Sequence, residues 1–460
     1  MEELPEQTDE EDPLVAIILA AGMGTRMRSR VHKILHRIAG DPMISHVLDS
    51  TRGANVAEII MVVGHQSEQV RSVVGDSVRY VIQEPQLGTG HAVQQAVRAF
   101  ETIPDRVLVL CGDTPLISSS SISKMAASLD DAVIALLSAH LEHPSGYGRV
   151  VRDEAGLVAA IVEEADAAKG QKSITEINSG LYCFNGPWLF ANLDKLEKSP
   201  KGEYYLTDLV ALAVAQGERV RAVVAPDASE VMGVNDRQQL AAADSIMRAR
   251  LCREAMSKGV TVIDPSTTYL SRAVTIGADS IIHPGTHLRG NTSIGERCEI
   301  GPNSIITDST IGDDCTVFAS VVEESRVEDR VVIGPFSHLR PGSRVASDVK
   351  LGNYAEIKNS SIGEGVQMHH FSYIGDAEIG AGTNIGAGTI TCNYDGKQKH
   401  KTVVGKNVFL GSDTLLRAPV EIGDGAATGA GSVVTKNVPP GKLVFGVPAR
   451  EKEEQTTDKG

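Results

Sequence analysis

The residues best equipped for chemistry fall in a few short segments. Leu19-Ala20-Ala21-Gly22-Met23-Gly24-Thr25-Arg26-Met27, followed by Lys33, comes directly after a Val/Ile-rich run. Glycines in such a place let backbone N–H groups approach phosphate oxygens. The run lacks the GK[ST] ending of a P-loop and the spacing of a dinucleotide GxGxxG. By itself it reads no further than a tight strand-to-helix turn. Arg26 and Lys33 sharpen it. When one phosphate attacks another both reactants are anions, and a site must supply positive charge where charge accumulates in the transition state. In Cys111-Gly112-Asp113-Thr114-Pro115-Leu116, Asp113 lies just past another apolar run, where a carboxylate can hold Mg²⁺ against triphosphate oxygens. A plain turn before Pro115 is the competing role. Far downstream, Phe336-Ser337-His338-Leu339-Arg340, Glu356-Ile357-Lys358, Met368-His369-His370-Phe371-Ser372-Tyr373 and Thr391-Cys392-Asn393-Tyr394-Asp395, with Lys399 and Lys401, form a second set. Histidine is the natural general base near neutrality, and Arg340 and Lys358 can hold an anion. A single histidine here also reads as a solvated turn residue.

Different elements must position these two sets. In the first half, apolar runs at Val15–Ala20, Ile59–Val63 and Val107–Leu110 alternate with helical spacing such as His91 to Phe100. That pattern predicts an α/β domain over residues 14–235 with a largely parallel sheet, its ligands beyond the carboxyl ends of the strands. Residues 236–259 read as one linker helix, started by Asn235 or Asp236 and ended by Gly259. Residues 260–450 then repeat every six positions: Ile276, Ile282, Leu288, Ile294 and Ile300, and later Val404, Leu410, Leu416, Ile422, Thr428 and Val434, with a slip of phase between. Neither an amphipathic helix nor an isolated strand repeats at six. One short strand plus one turn does, with the aliphatic residue inward and the adjacent Gly or Asn making the corner, so the coils stack on a narrow aliphatic core. The tails, 1–13 and 451–460, are polar, without an apolar period, and read as disordered.

With the elements in place, a resemblance becomes specific. GxGTRM after a strand, Gln86-Leu87-Gly88-Thr89-Gly90 and Gly112-Asp113 resemble the sugar-1-phosphate nucleotidyltransferases. Gly146-Tyr147-Gly148-Arg149, Glu176-Ile177-Asn178, Gly202-Glu203-Tyr204-Tyr205-Leu206-Thr207-Asp208, Gly233-Val234-Asn235 and the hexapeptide half narrow it to the bifunctional N-acetylglucosamine-1-phosphate uridylyltransferase / glucosamine-1-phosphate N-acetyltransferase family. The resemblance covers nearly everything between the tails. It implies a Rossmann-like nucleotidyltransferase domain, the linker helix and a left-handed parallel β-helix, in a cytoplasmic homotrimer that feeds peptidoglycan and lipopolysaccharide precursors. It implies that Leu19, Ala20, Ala21, Gly22, Gln83, Gly88 and Thr89 hold UTP, with Arg26 and Lys33 at the reacting phosphates and Asp113 and Asn235 on Mg²⁺. Gly148, Glu163 and Asn178 would contact the N-acetylhexosamine of N-acetylglucosamine 1-phosphate.

In the back half the resemblance makes His370 the acetyl-transfer base, in His-x-x-Tyr with Tyr373. It gives Arg340, Lys358, Tyr373, Asn384 and Lys399 to glucosamine 1-phosphate, and Ala387, Asn393, Tyr394, Ser412 and Ala430 to acetyl-CoA. Three positions depart from the family pattern: His32 stands where Pro usually precedes the lysine, Cys111 where an aromatic can precede Gly-Asp, and Gly446 where an Arg can contact the coenzyme.

Composition bounds the alternatives. The 460 residues call for two or more domains. A net charge of −15 argues against nucleic acid as a partner, which would need clustered cations. The opening MEELPEQTDEEDP is unlike a signal peptide, no apolar run is long enough for a bilayer, and the six scattered cysteines carry no CxxC pair, so reduced thiols are expected. A single-activity nucleotidyltransferase with a regulatory or assembly β-helix is the competing reading, and a non-catalytic scaffold the third. Lys358, His370 and the CNYDG segment speak against the one; Arg26, Lys33, Asp113 and Asn235 speak against the other.

Overall fold

A computed structural model describes residues 14–64 and 66–452; the tails expected at 1–13 and beyond 452 lie outside the described residues. The chain divides into two units between Ile246 and Met247. In chain order the main strands of the first unit are β1 (Leu14–Ala20), β2 (Glu58–Val63), β3 (Arg79–Ile82), β4 (Arg106–Cys111), β5 (Ile134–His140), β6 (Gly148–Arg152), β7 (Val158–Val162), β8 (Glu176–Asn185) and β9 (Val220–Val224). Their order is β9-β5-β8-β4-β1-β2-β3, with the β6–β7 hairpin attached to β8. Each of the three runs read from the sequence is a strand, one or two residues longer than read. Along β1, Ala16 and Ile18 face one core while Val15 and Ile17 face the other. Helices cover both faces, which is why these strands are apolar throughout rather than alternating.

The sheet is less purely parallel than the strand–helix alternation implies. β4-β1-β2-β3 are parallel, but β8 runs antiparallel between β4 and β5. Its ten residues include the polar stretch Asn178-Ser179-Gly180, where the register with β5 shifts. That stretch hides the strand's apolar period.

The helix Arg237–Ser257 follows. Asp236 caps its start, its Oδ1 accepting from the amides of Gln238 and Gln239 at 2.9 and 2.8 Å, and Gly259 at φ +90° ends it.

The second unit is a left-handed parallel β-helix whose two- to four-residue strands form three sheets. Every third strand pairs in parallel, as in Val262↔Ile282 and Ile282↔Ile300. The inward column Ile282, Ile300, Val317, Ile333, Leu351 and Met368 is solvent-free and belongs to one continuous core. Buried Ser and Thr hydroxyls at the corners are satisfied by the next coil, as where Ser280 Oγ donates to Gly295 O at 2.9 Å and accepts from Cys298 N at 2.9 Å. All six cysteines are free thiols.

The slip of phase has a plain cause. Some sides have five residues instead of six, as from Ile306 to Ile311, Val317 to Val322 and Val322 to Val327. Each shortened corner turns on one left-handed residue: Asp308, Ala319 or Glu324 (φ 47°, 45° and 40°). The role expected of the Gly after each aliphatic is corrected at Gly277 and Gly295, whereas Gly301 (φ +101°) does take a positive angle. Gly277 is not left-handed; a Cβ there would lie 2.6 Å from the backbone of the coil above. These glycines permit close stacking, and the turn is made a residue or two later, at Asp279, Arg297 and Asp314. Glu451, read as part of a polar tail, instead pairs with Val444 and forms an ion pair with Lys442 at 2.7 Å.

Candidate active sites

The first site lies at the carboxyl ends of β1 and β4. Gly24 (φ +57°) has no room for a side chain, since a Cβ would sit 2.7 Å from Lys33 Cβ. The lysine stem therefore crosses directly over the glycine-rich turn. Gly112 N donates to Leu19 O (2.9 Å), keeping the end of β4 against β1, and Val234 N donates to Asp113 O (2.8 Å), bringing Asn235 alongside. The result is a tight constellation. Lys33 Nζ forms an ion pair with Asp113 Oδ2 and donates to Asn235 Oδ1 at 2.7 Å, while Arg26 donates to the same Asn235 oxygen at 2.9 Å. Asp113 Oδ2 and Asn235 Oδ1 thus converge on one cationic point. Two hard oxygen donors with room for phosphate and water are what Mg²⁺ takes, since it seldom receives an all-protein cage. Among the described residues there is no group of three or more His, Cys, Asp or Glu that would hold a metal alone.

Beside this point opens a cleft of about 390 Å³, lined by Leu19, Ala21, Gly22, Lys33, Gln83, Gly88, Thr89 and Asp113 among others. Ala20 is buried at the end of β1. Gly148, Glu163 and Asn178 gather on a separate flank: Gly148 pairs with Asn178, and a Cβ on Gly148 would lie 3.6 Å from Glu163 Oε2. Burial pushes the Glu163 carboxyl above its ordinary range, partly offset by Thr207 Oγ1, which donates to it at 3.3 Å. Asn178 is buried and donates to Tyr182 OH at 2.7 Å.

His32 and Cys111 both sit in buried surroundings, and His32 Nδ1 has no hydrogen-bond partner there among the described residues. His32 has φ −56°, the angle a proline would lock, so Lys33 starts from the same backbone pose. Its freed N–H is used, donating to Gln69 Oε1 at 3.1 Å. Cys111 lines the cleft, but burial pushes its thiol up to about 12, so it stays neutral. Sequence reasoning gave no role to Gln86, whose Nε2 donates to Ala21 O at 2.5 Å, or to Met23 and Glu203, which also line the cleft. Gln86 and Glu203 sit inside segments that carried the resemblance, and that was their only signal.

In the β-helix the expected residues lie in columns. Arg340 follows directly on the strand His338–Leu339, and Lys358 and Tyr373 lie on the next two strands of that sheet, Tyr373 beside Glu356. Arg340 forms an ion pair with Glu356 at 2.9 Å. Lys399 comes from the corner loop after Ile390–Cys392 and lies against Lys358, whose ammonium pushes its pKa down. Two ammoniums side by side on an exposed face make a site for a doubly charged anion. Asp376, which the sequence reading passed over, accepts from Asn359 Nδ2 (2.7 Å) and Asn393 Nδ2 (2.5 Å), tying that loop to the coils below.

His370 is exposed at the corner before Ser372–Gly375. From it a ladder of corners rises: Phe371 O accepts from Gly388 N, Ala387 O from Asp413 N and Ser412 O from Gly431 N. Ala387, Ser412 and Ala430 therefore stand in one column above His370. Tyr394 is exposed on the loop, 62% accessible, and Gly446 (φ +95°) sits just past the last inward strand. Asn384 lies on a different sheet from Tyr373 and Lys358.

This combination of sheet, strand-end cations and stacked coils defines a nucleotidyltransferase domain followed by a hexapeptide-repeat transferase domain. Two families match accordingly: the MobA-like NTP transferase domain over residues 16–179, and the bacterial transferase hexapeptide (six repeats) over 273–308 and 401–436. Curated relatives run nearly the whole length. The bifunctional protein GlmU of Heliobacterium modesticaldum is 48% identical over 93% of this chain and 94% of its own; that of Pelobacter propionicus is 47% identical over 94% and 95%; that of Brevibacillus brevis is 43% identical over 96% of each. The chain belongs to the bifunctional GlmU family, and it is an enzyme with two activities, nucleotidyl transfer and acetyl transfer. Among the described residues no helix is long and apolar enough to cross a membrane.

Proposed function

We propose that the first unit transfers a uridylyl group from UTP to N-acetylglucosamine 1-phosphate, and that the β-helix makes that acceptor by moving an acetyl group from acetyl-CoA to the amine of glucosamine 1-phosphate. Residues 14–235 carry the first activity, 236–259 link, and 260–450 carry the second. The observation that carries the reading is the meeting of Arg26, Lys33, Asp113 and Asn235 at one point beside a strand-end cleft. The uridine nucleotide lies along Leu19 to Gly24, Gln83, Gly88 and Thr89, and the sugar lies toward Gly148, Glu163 and Asn178. The sugar phosphate oxygen bonds to the α-phosphorus as the bond to the β-phosphate breaks, and pyrophosphate leaves. Asp113 and Asn235 would hold Mg²⁺, which would supply neutralising charge for that displacement. Arg26 and Lys33 add fixed positive charge, preorganised by their shared partner.

In the β-helix, Arg340, Lys358 and Lys399 take the phosphate of glucosamine 1-phosphate, with Tyr373 and Asn384 orienting the sugar. His370 takes a proton from the ammonium form, and the neutral amine attacks the thioester carbonyl; the nitrogen–carbon bond forms, the carbon–sulfur bond breaks, and the proton the nitrogen then sheds goes to the departing sulfur, so coenzyme A leaves as the thiol. The coenzyme runs along Ala387, Ser412 and Ala430, against Asn393 and Tyr394. Because Asn384 and Tyr373 lie on different sheets of one chain, a site using both is closed by a neighbouring copy, which fits a homotrimer. The product of this cytoplasmic enzyme supplies peptidoglycan and lipopolysaccharide precursors.

A coupled assay tests the reading. Glucosamine 1-phosphate, acetyl-CoA, UTP and Mg²⁺ together should yield pyrophosphate and UDP-N-acetylglucosamine. Pyrophosphate released only when pre-acetylated sugar is supplied would refute the second half.

A further inference from the structure

The reading above places a pyrimidine nucleotide in the cleft, and the structure carries a further statement about how one pyrimidine is told from another. Gln83 is buried and lines the cleft. Its Nε2 donates to Gly88 O at 2.9 Å and lies 3.2 Å from His91 Nδ1. A carbonyl oxygen carries no proton, so the amide end facing Gly88 must be the NH₂. One amide hydrogen goes to Gly88 and the other to the lone pair of His91 Nδ1. With both hydrogens used, Oε1 is the end left for a ligand.

The histidine is built to receive that hydrogen. Burial, with Arg98 and Lys198 nearby, holds its pKa below the ordinary histidine value, so near neutrality the ring carries one proton. The Nε2 edge lies 2.9 Å from Gln95 Nε2; with Nδ1 held as the acceptor by the Gln83 NH₂, the ring proton sits on Nε2, and the partly exposed Gln95 amide pairs with it by presenting its oxygen. The ring also stacks near Tyr204, with centroids 6.3 Å apart. The Tyr204 backbone in turn clamps the turn before it, its N donating to Leu87 O at 2.8 Å and its O accepting from Gly90 N at 2.9 Å. His91 is thus fixed in place and is not itself part of the cleft lining.

We propose that His91 is a positioning residue that sets the amide orientation of Gln83, so that the cleft presents an acceptor to the base edge and selects uracil over cytosine. Uracil offers a ring N3–H to an acceptor. Cytosine offers a lone pair at the same atom, and two facing acceptors repel. A site that spends a buried polar group in this way discriminates by leaving that group unpaired against the wrong base. This inference rests on the uridylyl reading.

The test is nucleotide selectivity in the full-length enzyme, measured as kcat/KM for UTP against CTP with N-acetylglucosamine 1-phosphate and Mg²⁺. His91→Phe keeps a ring against Tyr204 and removes the acceptor; His91→Asn offers a side-chain oxygen near the Nδ1 position. His91→Phe should lower the UTP:CTP ratio about tenfold, mostly through KM for UTP, with acetyl transfer unchanged and His91→Asn recovering most of the ratio. An unchanged ratio in His91→Phe, or an equal fall in kcat for both nucleotides with no rescue by Asn, would overturn the inference while leaving the uridylyl reading intact. A wild-type enzyme that uses CTP as well as UTP would overturn both.

Discussion

In the first unit, Arg26, Lys33, Asp113 and Asn235 come from four places in the sequence and meet within hydrogen-bond reach. In the second, Arg340, Lys358 and Tyr373 sit one coil above another on a single face, with Asn384 on a different sheet. A sheet most of whose strands end at one edge makes a crevice out of connecting turns, so one chain can wall its own site. A three-sided coil has flat faces and narrow corners; its side chains line up but do not enclose. On the proposed reading, the two activities differ in what each demands of the fold: convergence in one unit, a second surface in the other.

The sharpest way to break this comparison is at the convergent point. Asp113→Ala removes the proposed metal ligand and the carboxylate partner of Lys33, and uridylyl transfer should fall about a thousandfold. Acetyl transfer measured on the same preparation should not move, and loss of both would mean the units are not chemically independent. His370→Ala should do the reverse, lowering acetyl transfer by roughly a hundredfold or more; unchanged kinetics would remove it as the base. Mixing inactive chains sharpens the contrast. Lys358→Ala and Asn384→Ala chains, co-assembled, should regain part of the acetyl transfer that each lacks alone. Arg26→Ala mixed with Asp113→Ala should regain no uridylyl transfer. Recovery in the second mixture, or none in the first, would reverse the assignment of which site borrows a wall.

Smaller effects are expected further out. A Cβ at Gly375 would lie 2.6 Å from Tyr373 Cζ, so Gly375→Ala should push that ring aside and raise the KM for glucosamine 1-phosphate about tenfold. The smallest change belongs to the exposed corner ladder, where Arg297 pairs with Asp314 and Arg330 with Asp348, each at 2.8 Å through Nε. The guanidinium hydrogen bonds hold both carboxyls below the usual carboxylate range. For a depressed acid the stabilisation is complete above the unfolded value, about 3.9, and is lost as pH falls through the lower folded value. Arg330→Ala should lower the unfolding temperature only slightly from pH 5 to 7, as an exposed pair is worth little, and that small difference should fade as the pH falls below about 4.

Some of this was open to reading from the residues alone. The six-residue period announced a coil because every inward position must be aliphatic and every coil meets its neighbour at the same height. The turn before Arg26 was legible as a phosphate-loop candidate only once Arg26 and Lys33 were counted with its glycines. What stayed hidden depends on approach in space. The antiparallel β8 was masked by Asn178-Ser179-Gly180, whose polarity breaks the strand's apolar period. Gln86 and Glu203 gave no sign of the cleft, since an isolated Gln or Glu looks like any solvated side chain. Asn235 was known only through resemblance, because nothing local reveals that Val234 hydrogen-bonds to Asp113 across 121 positions. The corners were misread at Gly277 for a related reason: its need for small size comes from the coil above, not from its own backbone angles.

The coil from Ile385 to Leu410 spans twenty-five positions where its neighbours take sixteen to eighteen, and the surplus is the loop at residues 393–401. It leaves the ladder undisturbed, since Asn384 and Ile385 still pair with Phe409 and Leu410. Such a scaffold can acquire new chemistry by lengthening one corner at one chosen height, with no redesign of its interior. Grafting a different segment between Cys392 and Thr402 is therefore a route to altered acceptor choice that leaves folding largely alone.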